Sequence, residues 1–148
     1  MGAALHGAAW LLSVALAISL LIRAPRYGAA FVVKRAIAAI VIGVVVVLVV
    51  ALVLRGLSVQ PSHGFSTALF QLLFTVVVVA MLNGANVTFH GMVDTVIGFH
   101  RRYNAGNLHR FPISFMIRNE NQLKMFGTAM WCFGSTLMLY GVWFDTHI

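Results

Sequence analysis

Acidic side chains are nearly missing from this sequence: Asp94, Glu120 and Asp145 are the only three in 148 residues. Charged residues of both signs make up 9% of the chain and hydrophobic residues 61%. A soluble domain this short could not cover its surface with so little charge, so the balance calls for a bilayer as solvent. Cysteine is equally scarce. Cys132 stands alone inside a hydrophobic run, which excludes an intramolecular disulfide and a thiolate metal cluster and leaves a packing role. The opening residues, Met1 to His6, lack the basic region of a secretory signal and the Arg-rich pattern of a transit peptide. His6 also stands where a myristoylation motif needs Ser or Thr, so no removable segment is expected. A Gly-rich phosphate loop, a nucleophile elbow and a pair of carboxylates placed for acid–base work are all missing, and the chain by itself is not expected to be an enzyme.

What the sequence does have is long apolar runs. Residues 5–22 are interrupted only by serines and small residues and stop at Arg23 and Arg26; residues 36–54, rich in Val and Ile, follow Lys34 and Arg35. In lipid such a run must be helical, because a lone strand leaves its backbone groups unpaired. A third run starts near Ser66 and, with mixed polarity, reaches His100, too long for a bilayer core if helical throughout. The fourth, over 122–144, ends in Trp143-Phe144, an interfacial anchor. The expected fold is therefore an all-α membrane protein of four transmembrane helices, at about 5–22, 36–54, 66–100 and 122–144, forming one membrane domain over 1–148. A basic loop is expected over 101–121.

The formal charge of +7 could suggest nucleic acid, but no basic, aromatic-interleaved stretch outside the apolar runs is long enough for a binding domain. The cations instead set topology. Arg23, Arg26, Lys34 and Arg35 follow the first run, and Arg101, Arg102, Arg110, Arg118 and Lys124 follow the third, while the intervening loop holds only Arg55. An up-down arrangement puts both rich segments on one side and both termini on the other, as the positive-inside rule requires.

Two patterns lie on the third run. Asn83, Asn86, His90 and Asp94 recur at spacings of three and four, so a helix lines them up as a polar stripe with His90 and Asp94 in reach of each other. A histidine oriented by a carboxylate is the dress of a haem or metal ligand; the commoner use of such a stripe is interhelical hydrogen bonding. Gly84, Gly91 and Gly98 repeat every seven residues with Thr88 and Thr95 beside them, a groove where another backbone can approach. His6, His63, His100, His109 and His147 all fall at ends or in loops, so a second membrane-core histidine is missing and a complete haem ligand set from this chain is not expected. Inverted repeats and matched Gly/Pro-broken helices, the better signs of a transporter, are also lacking.

Glu120-Asn121 at the entry to the last span, Phe133-Gly134-Ser135 within it and, more loosely, Pro112-Ile113 ahead of it are similar to the pattern of cytochrome c oxidase subunit VIIc. That family is a single-span accessory subunit of the mitochondrial terminal oxidase. The resemblance covers the last quarter of the chain, requires extra residues between Pro112 and Glu120, and leaves the first three spans without a counterpart. It implies a structural role in the mitochondrial inner membrane, with the last span entered from the matrix side and docked on catalytic subunits, and it implies no haem or copper ligand.

The function expected is thus a non-catalytic accessory subunit of an inner-membrane respiratory complex, by preference cytochrome c oxidase. Its partners would be other membrane subunits of that complex and an anionic lipid such as cardiolipin, held by Arg101, Arg102, Tyr103, Arg110 and Arg118. The basic loops would face the matrix. No cofactor and no metal is expected on this reading. The alternative is a haem- or quinone-binding membrane anchor of the kind found in succinate dehydrogenase, with His90 as ligand and Asp94 as its orienting partner; a small channel or transporter is a further one.

Overall fold

The computed structural model describes residues 3–144. They contain five α-helices: α1 (Ala3–Arg23), α2 (Ala29–Gly56), α3 (His63–Tyr103), the short α4 (Ile113–Arg118) and α5 (Glu120–Phe144). Single 3-10 turns lie at Ala24–Arg26 and Ala105–Asn107, and no strand occurs among the described residues. Four of the helices, α1, α2, α3 and α5, are long and apolar enough to cross a membrane.

Local chemistry explains where these helices start and stop. Pro25 sits inside the tight turn after α1, where its missing N–H costs nothing. Gly28, in an extended conformation, opens α2. Ser62 caps α3 by accepting a hydrogen bond from the Phe65 backbone N–H at 3.3 Å. At the far end, His100, Arg101 and Arg102 in the last turn complement the helix dipole. Glu120 does the same for the first turn of α5.

Several of these bounds differ from the hydropathy runs. α2 begins at Ala29 rather than 36, because Lys34 and Arg35 are helical residues carried outward by the same helix. The stretch 101–121 is not a continuous loop: 101–103 close α3, 113–118 form α4, and 120–121 open α5. Loss of hydropathy marks where a chain leaves an apolar medium, and a helix has no reason to end there.

Four sets of contacts define the packing. Phe89 lies on Gly127, His90 meets Thr128, and Asp94 meets Lys124, so α3 and α5 run antiparallel. His6 stacks edge-on against Trp143 and Trp10 against Tyr140 and Phe144, which sets α1 antiparallel to α5. Ala17 packs with Val79 and Leu139 in one core cluster, and Asn86 reaches the Leu21 carbonyl, so α1 and α3 run parallel. Gly43 faces Leu73 and Val76, and Val32 faces Val87, so α2 lies antiparallel along α3. α3 is therefore the shared member, with α2 on one side and the α1–α5 pair on the other.

This register leaves one unequal length. α1 ends and α2 begins beside Val87, where Ala24, Val32 and Val87 form a second core cluster. α3 is 41 residues long, and its residues 88–103 run about 24 Å past that level at 1.5 Å per residue. With α4 and the start of α5 they make a head that projects beyond the other two helices.

Candidate functional site

The polar stripe of α3 faces the α1–α5 side, and the structure gives each member a specific partner. Asn86 is fully buried. Its Nδ2 donates to the Leu21 carbonyl at 2.9 Å, and its Oδ1 accepts from the Thr128 hydroxyl at 3.2 Å. One amide thus ties the last turn of α1 to α3 and α5. Asn83, also buried, donates back to the Val79 carbonyl within its own helix at 2.9 Å and joins nothing across the bundle.

His90 Nε2 lies 2.9 Å from Thr128 Oγ1. The single hydroxyl proton of Thr128 is directed at Asn86, so Nε2 must be the donor in this pair and carries a proton. The chain of bonds therefore runs from His90 through Thr128 and Asn86 to the backbone of α1. Networks of this kind lock helix positions, because each polar group removed leaves another unsatisfied.

Asp94 does not orient His90. Its carboxylate pairs instead with Lys124 Nζ, which also donates to Glu120 Oε1 at 2.8 Å. Arg101 Nη2 stands 3.7 Å from Glu120 Oε2. The expected His90–Asp94 pair is thereby replaced by two separate arrangements: a hydrogen-bond chain at the level where α1 ends, and a four-residue ionic cluster, Asp94, Lys124, Glu120 and Arg101, in the head. Lys124 is the hub, since it competes for Asp94 from the facing helix, one turn beyond His90. Among the described residues no group of three or more His, Cys, Asp or Glu side chains is placed to hold a metal ion.

The glycine repeat is also placed differently from the groove expected for packing. A Cβ at Gly84, Gly91 or Gly98 would meet nothing within 4 Å, so within this chain none of them admits a close neighbour. Thr88 and Thr95 are exposed beside them, their hydroxyls bonded to the Gly84 and Gly91 carbonyls of the same helix. The glycine that does permit close packing is Gly127, where a Cβ would overlap the Phe89 ring. Nothing in the spacing of Gly127 signalled this; its partner Phe89 was known only once the α3–α5 register was.

The candidate lipid- or partner-binding residues divide in two. Arg101 is engaged by Glu120. Arg102, Arg110 and Arg118 have no carboxylate partner among the described residues, and Tyr103 is exposed and stacks obliquely on Phe99. Phe111 and Phe115 are exposed on the same head. Of the five other histidines, His6 packs on Trp143, His63 opens α3, His100 bonds Asn104, and His109 lies between the 3-10 turn and α4. His147 and Asp145 lie outside the described residues.

Comparison of the chain with protein-family models, with curated proteins and with solved structures returned no match.

Proposed function

We propose that this chain is a membrane-embedded assembly subunit without a reaction of its own, held within a larger complex of helical membrane proteins. The observation that carries this reading is how the polar chemistry is spent. Asn86, His90, Thr128, Asp94, Lys124 and Glu120 are all engaged in holding α1, α3 and α5 together. Meanwhile the faces left open are the ones suited to neighbours: the small-residue track that runs from Gly84 into the head at Gly91 and Gly98, and the basic, aromatic residues of the head. Small residues facing outward on a spanning helix let a second helix approach closely, and Arg with Tyr and Phe is the composition of a contact surface.

In its specific form the proposal is an accessory subunit of a mitochondrial inner-membrane respiratory complex, cytochrome c oxidase by preference. The local resemblance of Glu120-Asn121 and Phe133-Gly134-Ser135 supports it. In this fold Ser135 is fully buried against the rest of the chain and Phe133 points outward, so Phe133 is the residue of that triplet offered to a neighbour. The basic segments would lie on the matrix side, where Arg102, Arg110, Arg118 and Tyr103 would meet an acidic subunit surface or cardiolipin.

The test is to tag the C-terminus, solubilise native membranes in mild detergent, and identify by native gel and mass spectrometry what migrates with the chain. Co-migration with haem–copper oxidase subunits is the expected result. Co-migration with a different membrane complex would keep the assembly role and discard the oxidase, and migration as a small free oligomer would discard both.

A further inference from the structure

Ten Lys and Arg residues face three acids in this sequence. Arg101 and Lys124 take both described carboxylates, Asp94 and Glu120. The other eight cations have no carboxylate partner among the described residues, and four of them, Arg23, Arg26, Lys34 and Arg35, flank a single turn between α1 and α2. All four are exposed.

That turn is fixed in place. Asn86 holds the Leu21 carbonyl of α1 just before it, Ala24 is buried in it, and Val32 just after it packs with Ala24 against Val87 of α3. The aromatic rings between the cations are ordered as well: Tyr27 and Phe31 lie 5.6 Å apart, and the Arg35 guanidinium stands 4.5 Å over the Phe31 ring. Directly below, α2 presents Ile37, Val41, Val44, Val45 and Leu48 with no protein neighbour covering them, each at least 40% exposed.

From this juxtaposition we propose that the α1–α2 turn is a binding site for an anionic phospholipid, its phosphodiester headgroup held by Arg23, Arg26, Lys34 and Arg35 and its acyl chains laid along the bare face of α2. The charge and the apolar surface argue for the same ligand. Four exposed cations flanking one packed turn repel one another less when an anion sits among them. A soluble anion would satisfy the charge and leave the aliphatic face of α2 unused; a phospholipid uses both. Tyr27 and Phe31 stand among the cations, as amphipathic rings do at a headgroup boundary. This site is separate from the cations of the head, and it rests on the membrane reading above without depending on which complex the chain joins.

The experiment uses the full chain, delipidated in a zwitterionic detergent, titrated with phosphatidylglycerol and with phosphatidylcholine of identical acyl chains, and read by native mass spectrometry. Phosphatidylglycerol should bind at least about tenfold more tightly than phosphatidylcholine, each unit of charge near such a surface being worth about fivefold. The R23Q/R26Q/K34Q/R35Q variant should lose that preference and R55Q, at the isolated cation of the opposite end, should keep it. Should the fourfold variant fail to insert, the wild-type chain still decides: the preference should fade as salt approaches about 1 M, where screening reaches within about 3 Å. Equal binding of the two lipids, a preference indifferent to salt, a loss confined to R102Q/R110Q/R118Q, or full competition by inorganic phosphate at the same affinity would each overturn the proposal. None of these outcomes bears on co-migration with a respiratory complex, so the two readings fail independently.

Discussion

Asn86 gives one side chain two opposite tasks: its amide N–H holds a carbonyl of α1, and its oxygen receives the hydroxyl of Thr128 on α5. Asn86→Ala would leave the Leu21 carbonyl and the Thr128 hydroxyl without those partners. It should lower stability by about 1–3 kcal/mol, seen as a lower midpoint in thermal unfolding of the detergent-solubilised chain. Asn83→Ala, which removes only a bond within α3, should cost less. At Gly127 the expected effect is steric. Gly127→Ala drives a methyl into the Phe89 ring and should cost about 1–3 kcal/mol, and because both residues act at one contact, Gly127→Ala with Phe89→Ala should be clearly less than additive in the same assay. The sequence made the stripe legible, since its period of three and four needs only one helix. It could not show that Asp94 turns to Lys124, because that choice depends on a facing helix thirty positions away, or that the glycine used for packing is one outside the heptad repeat.

The elements themselves were readable from hydropathy, with four spanning-length helices where four apolar runs stand. Their ends were not, and α3 shows why. Asn83 to Asp94 interrupts the apolar run, yet every backbone hydrogen bond of a helix is satisfied internally, so α3 continues through the change of medium to Tyr103. Its halves are held differently: from Gln71 to Val87 it is packed on both sides, and from 88 onward its neighbours are the first turns of α5, α4 and the 3-10 turn at Ala105–Asn107. Hydrogen exchange on the chain in lipid nanodiscs should therefore be graded along one helix. Amides of 71–87 should be the slowest, those of 95–103 clearly faster, and those of 104–119 fastest, on the scale set by local opening. Uniform protection from 71 to 103 would mean that the head is covered by something not included in this fold.

For the whole molecule, the contacts bring the α1–α2 turn and the base of the head to the same end of the bundle and the α2–α3 turn to the other. In a membrane, single cysteines in a Cys132→Ser background should report this arrangement with a membrane-impermeant maleimide. Tyr27→Cys and Asn107→Cys should be labelled from one side, and Ser58→Cys from the opposite one. Labelling of Tyr27→Cys and Ser58→Cys from the same side would break the up-down order on which the count of basic segments depends.

α2 has a consequence of a different sort. Of its 28 residues Val32 is the only one buried, and Gly43 is its close approach to α3, at Leu73. Beyond these, a narrow half-buried seam of Ala36, Ile40, Val47, Val50 and Leu54 follows α3, and outside it little in the fold reads the order of the remaining Val, Ile, Leu and Ala residues. The helix is specified as a composition, whereas α3 and α5 are specified as spellings. Shuffling the exposed residues of 36–54 in α2, with Gly43 and the rest of that seam kept in place, should leave insertion and the helix contacts intact, while a shuffle of 74–92 of α3 should abolish them. Over time α2 is then free to drift through its many synonymous apolar sequences. Descendants of this chain would share a recognisable α3 and α5 long after their second helices had ceased to align.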